Sequence, residues 1–258
     1  MFRPVLVWLA VLGVLAAASA PGGRAQAPVP LTVFAASDLG QAFKQIVQQF
    51  EKATSTRVSL VLGSTGMLAQ QIRNGAPADV FFAANESFIN DLAAEKLTIH
   101  RTHALYARGR IVAVTLKDSR IRIHRLEDLA DARVRRIAIA NPQHAPYGLA
   151  ARQALEAAGL GVALKSKLVF GENVQQAVQF VRSGSAEAGI VARSVANTPD
   201  LSWTLVDDRL HMPLNQVAAV LAGSKQPRAA ASFIEFVNGA QGRPVMKQFG
   251  FLMPGESF

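Results

Sequence analysis

A short turn of sequence Gly-Ser-Thr-Gly at 63–66 separates an apolar run from the start of a helical pattern. The run 58–62 reads as a strand, and the pattern after the turn reads as a helix that ends near Asn74. The first turn of a helix leaves backbone N–H groups without intrahelical partners, and small residues allow a ligand to come close to them. Because the helix dipole also favours negative charge there, the turn predicts one half of an anion-binding cradle.

Strands and helices alternate along the rest of the chain. Residues 31–36 and 79–84 read as strands, and each is followed by apolar residues at helical spacing. Further strands are predicted at 136–140, 168–170 and 188–192, and two helices close the chain. This alternation predicts an α/β protein built on mainly parallel sheets that are flanked by helices.

Two more apolar strands are predicted to carry the chain between two lobes, at 110–116 and 217–221. A length of 258 residues is enough for two lobes. We expect the first lobe to consist of residues 27–112 and 217–258, and the second lobe to consist of residues 113–216.

Four strand-to-helix junctions carry small or polar residues, and two of them fall in each predicted lobe. They are 36–38, 63–66, 145–148 and 171–174. Ligands of open parallel sheets bind beyond the carboxyl ends of the strands. A cleft between the lobes would therefore bring four helix starts together around one ligand, although ordinary helix capping also explains each turn alone.

The first 26 residues have the layout of a secretory signal peptide. A basic start at Arg3 precedes an apolar run, 5–20, that ends in small residues. The run is shorter than the ~20 residues that a spanning helix needs, and an uncleaved anchor is the alternative. We therefore expect export to the periplasm. Because the chain contains no cysteine, neither disulfides nor a lipid-modified cysteine are expected.

The chain carries a formal net charge of +9. Removal of residues 1–26 takes away Arg3 and Arg24 and no acidic residue, which leaves +7. Such a charge is one sign of nucleic-acid binding, but the basic residues are scattered and are not interleaved with aromatic ones. The cluster at 120–136 reads as a solvated basic face. We therefore expect no nucleic-acid partner and only a general attraction for anions.

Motifs of common hydrolases and metal sites are missing from the sequence. There is no Gly-x-Ser-x-Gly turn and no His-Glu-x-x-His helix, and the five histidines lack the spacing of metal ligands. A secreted hydrolase that uses Ser37 or Ser64 is an alternative, but only His144 lies near a junction to serve as its base. We interpret His144 as forming a local hydrogen bond, so that its replacement by alanine would leave ligand binding nearly intact.

Five segments of the chain, in this order, match a known family. They are Val33-Phe34-Ala35-Ala36-Ser37-Asp38-Leu39, Gly63-Ser64-Thr65-Gly66, Gly75-Ala76-Pro77-Ala78-Asp79-Val80-Phe81, Asn141-Pro142-Gln143-His144-Ala145-Pro146-Tyr147-Gly148 and Gly171-Glu172-Asn173-Val174. The Gly-Ala-Pro-Ala-Asp and Asn-Pro-x-His-x-Pro segments are specific in combination. Over essentially all of residues 31–252, the chain resembles the periplasmic molybdate-binding proteins of ABC importers.

The resemblance implies a two-lobed periplasmic binding protein fold, similar to type II, with a ligand cleft between the lobes. Proteins of this family are not enzymes. They capture molybdate or tungstate as a tetrahedral oxyanion and deliver it to a membrane permease. The resemblance implies no cofactor and no direct coordination of the metal atom by the protein. We also expect a monomer.

Six residues are carried over by position as ligand-binding residues: Ser37, Asp38, Ser64, Thr65, Tyr147 and Val174. The family holds its ion with uncharged backbone N–H and hydroxyl groups, and Val174 would contribute only its N–H. Asp38 stands where some relatives have serine, and its carboxylate would repel a dianion. We therefore expect Asp38 to present its N–H to the ligand and to turn its side chain away to cap the helix.

Two departures from the family leave the identity of the ion open. A carboxylate such as that of Asp38 or Glu172 favours a protonated oxyanion, so a binder of phosphate or sulfate with the same fold is the alternative. Some relatives have tyrosine where this chain has Ala192, and the hydroxyl of Tyr147 is expected to replace the lost one. Because molybdate and tungstate have longer bonds to oxygen than sulfate has, cavity size would separate them.

Overall fold

The computed structural model describes residues 29–256, so the predicted signal peptide at 1–26 lies outside the described residues. Within the described part, no helix combines the length and the apolar character needed to cross a membrane. The strands are β1 (Leu31–Ala36), β2 (Val58–Gly63), β3 (Val80–Ala83), β4 (Ala104–Gly109), β5 (Ile111–Leu116), β6 (Ile137–Ala140), β7 (Leu168–Gly171), β8 (Ala188–Ala192), β9 (Leu201–Leu205) and β10 (Leu214–Val220).

The α-helices of the same region follow the strands closely in sequence. They are α1 (Gly40–Thr54), α2 (Thr65–Arg73), α3 (Glu86–Ala94), α4 (Pro146–Ala157), α5 (Gly161–Leu164), α6 (Val174–Arg182), α7 (Arg193–Ala196), α8 (Pro227–Asn238) and α9 (Gly242–Gln248). Short 3-10 turns cover Ser37–Leu39 and Leu126–Ala130. Asn85 caps α3, because its side chain accepts from the N–H of Ser87.

The strands form two five-stranded sheets, in the orders β2-β1-β3-β10-β4 and β7-β6-β8-β5-β9. In each sheet three strands are parallel, as the alternation of strand and helix predicts. Each sheet also contains antiparallel pairs: β10 is antiparallel to both β3 and β4 in the first, and β5 is antiparallel to both β8 and β9 in the second. The α/β class with two lobes is confirmed, and the antiparallel strands are the ones on which the chain passes from sheet to sheet.

The chain changes sheets between β4 and β5 and returns between β9 and β10. The predicted lobe boundary at 112 falls inside β5, and the one at 217 falls inside β10. We therefore propose boundaries near Arg110 and between Val206 and Leu214. A β-bulge between Gln216 and Val217 interrupts the pairing of β10 with β4 close to the predicted boundary at 217.

Aromatic side chains fill the core of the first lobe. The ring of Phe233 on α8 lies edge-on to those of Phe43, Phe50 and Phe82, at centroid distances of 5.7, 5.0 and 5.6 Å. Such edge-to-face pairs stabilise beyond the apolar area that they bury. The core of the second lobe is mainly aliphatic. Two separately packed sheets thus hold the carboxyl ends of β1, β2, β6 and β7 toward a common space.

Candidate functional site

All six residues predicted to bind the ligand line one small cavity of about 10 Å³ between the two lobes. Its wall consists of Ala36, Ser37, Asp38, Gly63, Ser64, Thr65, Ala84, Ala145, Pro146, Tyr147 and Val174. The six predicted residues are all buried. The cavity is far smaller than the clefts of ~300–1,000 Å³ that hold drug-sized ligands.

The first lobe contributes the turns after β1 and β2. Ser64 occupies the N-cap position of α2 with extended backbone, but its side chain does not cap that helix. Thr65 follows at the first helical position, and its hydroxyl oxygen accepts from the N–H of Ala84 at 3.1 Å. This bond fixes the Thr65 oxygen and leaves its proton available for donation toward the cavity. Both hydroxyls can therefore serve an anion, as Ser37 on the neighbouring turn can.

The second lobe contributes the first turns of α4 and α6. Pro146 begins α4, where its missing N–H costs no hydrogen bond. Asn173 caps α6 by accepting from the N–H groups of Gln175 and Gln176, at 3.0 and 3.1 Å. The cap does not take the N–H of Val174, which lines the cavity. The first turns of α4 and α6 thus direct uncharged donors and positive dipole ends toward the cavity.

The carboxylate of Asp38 accepts a hydrogen bond from the other lobe. The sequence predicts that this side chain caps a helix, and it does not. Its Oδ2 accepts from the hydroxyl of Tyr147 at 2.8 Å and from Nε2 of Gln216 at 2.7 Å. Nε2 of Gln216 also donates to the Tyr147 oxygen at 2.8 Å. The 3-10 turn that starts at Ser37 has no side-chain cap. Asp38 turns toward Tyr147 and Gln216 because a buried carboxylate requires strong donors.

Burial controls the acidity of this group. Loss of hydration raises the pKa of Asp38 to about 6, although the hydrogen bonds from Gln216 and Tyr147 act in the opposite direction. Burial, with the nearby Asp38 charge, raises the pKa of both Tyr147 and Tyr106 well above 10. The two tyrosines are therefore neutral donors, and Tyr147 has committed its proton to Asp38. Its hydroxyl does not replace the tyrosine that some relatives have at the position of Ala192.

His144 forms a bond across the lobes, which corrects the expectation of a local one. Its Nδ1 lies 2.8 Å from Oγ of Ser64, and its carbonyl oxygen accepts from the N–H of Gly66 at 2.9 Å. A side chain at Gly66 would collide with the His144 backbone, so glycine is what permits this approach. Because the imidazole can donate to Ser64, the serine hydroxyl remains able to point its own proton at an anion.

Two further hydrogen bonds cross between the lobes. Nε2 of Gln175 donates to the carbonyl of Ser37 at 3.2 Å, and Oγ of Ser194 donates to the carbonyl of Asp38 at 2.9 Å. With the bonds of Tyr147 and His144, they surround the cavity on several sides. The structure is therefore that of a closed cleft.

No lysine or arginine belongs to the wall of the cavity. Arg193 follows β8 directly, but its guanidinium lies 4.7 Å from the ring centre of Trp203. Within 29–256 no group of three or more metal-ligating side chains is found. The predicted basic face carries ion pairs such as Arg135 with Glu187 and is solvated, as expected. An anion in the cavity would thus be held by uncharged donors and helix dipoles.

The sequence did not indicate three polar contributors to the site: Gln216, Ser194 and Ala84. Gln216 is fully buried in β10, and a glutamine directly before the apolar run 217–220 was the available signal. Ser194 stands at the end of β8, which is a further strand-to-helix junction of the second lobe. Ala84 contributes its backbone N–H, which side-chain patterns cannot show.

Two lobes that close on a small cavity define a solute-binding protein. The family model described as bacterial extracellular solute-binding protein matches residues 31–252, and the chain belongs to this family. It is a binding protein and not an enzyme, because the family functions by binding and release.

Relatives of known name support the same grouping. The chain is 36% identical to the molybdate-binding protein ModA of Azotobacter vinelandii, over 85% of this chain and 88% of the relative. It is 29% identical to ModA of Escherichia coli, over 95% and 97% of the two chains. The solved structure of the Azotobacter vinelandii periplasmic molybdate-binding protein superposes with a TM-score of 0.82 over 87% of this chain and 99% of that one, at 31% identity.

A more distant solved structure shares the fold alone. The sulfate-binding protein SubI of Mycobacterium tuberculosis superposes with a TM-score of 0.74 at 16% identity, covering 88% of each chain. The two-lobed architecture is therefore common to proteins whose names include different oxyanions, and the choice of ion lies in the site.

Proposed function

We propose that this protein captures molybdate, or tungstate of the same shape, and delivers it to the membrane permease of an ABC importer. The observation that carries the proposal is the meeting of Ser37, Ser64, Thr65, Tyr147 and Val174 at one cavity without any basic side chain. Two relatives that match over most of the chain, from Azotobacter vinelandii and Escherichia coli, carry molybdate in their names.

The chemistry of the donors suits a fully deprotonated dianion. Such an ion has no proton to give, so it gains from donors only. The hydroxyls of Ser37, Ser64 and Thr65 and the N–H groups of Tyr147 and Val174 are donors from both lobes. Hydrogen bonds to a charged group are roughly twice as strong as neutral ones. Binding therefore favours the closed cleft, in which both sets of donors reach the ion.

Two alternatives are weaker. A binder of sulfate or phosphate has the same fold, but the ModA proteins of Azotobacter vinelandii and Rhodobacter capsulatus, which are 36% and 28% identical in sequence, are named for molybdate. A serine hydrolase would use the contact between Ser64 and His144, yet no described carboxylate orients that histidine and the cavity has no room for a substrate. Membership of a binding family decides against the enzyme.

Export and a monomeric state complete the proposal. The layout of residues 1–26 supports a signal peptide and hence a periplasmic location. A single chain contributes both halves of the cavity, so the site needs no second copy.

The test is isothermal titration calorimetry on the purified mature protein. Molybdate should bind tightly with one ion per chain, and sulfate should bind far more weakly. Ser64→Ala should lower molybdate affinity at least tenfold, since it removes a donor to a charged ligand worth about 1.5–3 kcal/mol. Ser59→Ala is the matched control, because Ser59 is exposed on β2, the strand that ends directly before Ser64. Absence of heat with both molybdate and tungstate would end the proposal.

A further inference from the structure

The two oxygens of the Asp38 carboxyl have different surroundings. Oδ2 accepts from Tyr147 and Gln216, whereas Oδ1 is buried and has no hydrogen-bond partner in the described structure. Asp38 is 1% exposed and belongs to the wall of the cavity. Ionising the carboxyl group in this position is costly, because loss of hydration outweighs the help of Gln216, Tyr147 and the backbone N–H groups of Asp38 and Leu39.

An anion in the cavity makes the ionised form of Asp38 still less favourable. A carboxylate close to a dianion is repelled, and no lysine or arginine of the cavity wall offsets that repulsion. The surroundings instead fit a carboxylic acid. Its carbonyl oxygen would be Oδ2, which already accepts two hydrogen bonds, and its hydroxyl would be Oδ1, which lacks a partner.

We propose that Asp38 binds the anion as a neutral carboxylic acid whose Oδ1–H donates to a ligand oxygen, so that each bound anion takes up one proton from the solvent. This inference rests on the proposed function and adds a residue that determines specificity. The protonated Asp38 would complete a set of donors with no acceptor, which selects dianions over protonated oxyanions. The raised pKa of Asp38 in the free protein, about 6, shows that the proton is already easy to add.

The other titratable groups near Asp38 are few. Tyr147 on α4 and Tyr106 on β4 are neutral, because burial raises the pKa of each well above 10. Gln216 on β10 and Ser194 on α7 are uncharged. His144 contacts Ser64 on the other side of the cavity and is the one competing proton acceptor in the described surroundings.

Calorimetry in several buffers measures the proton directly. Molybdate is titrated at about pH 7.5 in buffers that differ in ionisation enthalpy, and the slope of the observed enthalpy gives the protons taken up. We expect about one proton per ion for the unchanged protein and about none for Asp38→Asn, which binds molybdate through its amide N–H₂. Glu172→Gln is the matched control at an exposed carboxylate beside the cleft, and His144→Gln tests the competing acceptor. Both variants should still take up about one proton for each molybdate ion bound.

A second measurement needs no variant. Uptake of one proton makes molybdate affinity fall about tenfold for each pH unit above the pKa of free Asp38. Tight binding with no uptake and a flat pH profile would overturn the inference and leave the proposed function intact. Uptake that persists in Asp38→Asn and disappears in His144→Gln would assign the proton to His144 and also overturn it. Failure to bind any metal oxyanion would instead remove the proposed function, and this inference with it.

Discussion

The hydroxyl of Tyr147 in the second lobe donates to the carboxylate of Asp38 in the first at 2.8 Å. Both side chains are buried, and Gln216 donates to both. Replacement of Tyr147 by phenylalanine removes the hydroxyl that donates to the Asp38 carboxylate across the cleft. Because a hydrogen bond to a charged group contributes about 1.5–3 kcal/mol, molybdate affinity should fall roughly 10- to 100-fold by calorimetry.

Tyr106→Phe is the matched control for that substitution. Its hydroxyl is equally buried but donates to the carbonyl of Ala83 at 3.2 Å, within the first lobe. This variant should lose stability without a comparable loss of affinity. Equal affinities of Tyr147→Phe and the unchanged protein would show that the contact between the lobes does not support binding.

His144→Ala is now expected to weaken binding, contrary to the expectation from sequence. The substitution removes the contact with Ser64 but keeps the backbone bond to Gly66. A loss of about 0.5–1.5 kcal/mol corresponds to a roughly 2- to 10-fold weaker affinity, which should appear as faster molybdate dissociation in stopped-flow experiments. His103→Ala is the control, because that ring bonds to Thr98 inside the first lobe. An unchanged rate of molybdate dissociation from His144→Ala would instead support the interpretation that His144 is not needed for ligand binding.

The periodicity of the sequence predicted most of the fold because helices and buried strands have strong patterns. The first strand agrees with its predicted bounds, and the three parallel strands of each sheet were all predicted. The missed strands, β4 and β9, are at sheet edges, where one side of the strand has no neighbour and the apolar pattern is weak. The proposed lobe boundaries, near Arg110 and between Val206 and Leu214, depend on where these edge strands end and begin.

The candidate site was predictable as a set of turns but not as a network. Strand ends and helix starts are local features, so Ser37, Ser64 and Val174 could be selected from the sequence. The partners of Asp38 could not, because Gln216 lies 178 positions away and Tyr147 lies 109 positions away. Which side chain meets a buried carboxylate depends on how two sheets pack, and no local pattern contains that information.

Gly109 is predicted to be essential for the arrangement around Asp38. A methyl group at this position would collide with the Tyr147 hydroxyl and lie 3.0 Å from Nε2 of Gln216. Gly109→Ala should therefore displace Tyr147 and lower molybdate affinity by more than tenfold, with a larger radius in solution scattering because the lobes close less well. Gly223→Ala is the control, since a methyl group there meets no atom within 4 Å. A Gly109→Ala protein that binds and closes normally would contradict the described packing.

The buried carboxyl also predicts how stability depends on pH without ligand. The pKa of Asp38 is about 6 in the folded protein against 3.8 for a free side chain, so the folded state holds the proton more tightly. The cost of ionising Asp38 is absent below about pH 4, grows between pH 4 and 6, and is complete above pH 6. At neutral pH it is on the order of 3 kcal/mol.

Asp38→Asn removes that cost, because the amide stays neutral. Relative to the unchanged protein, the variant should gain stability as the pH rises from about 4 to 7.5, measured by urea unfolding in the absence of anions. Glu172→Gln, at an exposed carboxylate, should show no such trend. A difference in unfolding free energy between Asp38→Asn and the unchanged protein that stays constant across this pH range would mean that folding does not raise the pKa of Asp38.

Phe233 tests whether the aromatic core of the first lobe sets stability independently of the site. The side chain is fully buried and packs edge-on against Phe43, Phe50 and Phe82. Because truncation leaves a cavity that the rigid rings cannot fill, Phe233→Ala should lower the free energy of unfolding by about 3–5 kcal/mol in urea titrations. Phe170→Ala, at a side chain that is 52% exposed, should cost much less. The molybdate affinity of folded Phe233→Ala should stay close to that of the unchanged protein. Similar losses of unfolding free energy for Phe233→Ala and Phe170→Ala would show that ring packing in this core adds little to stability.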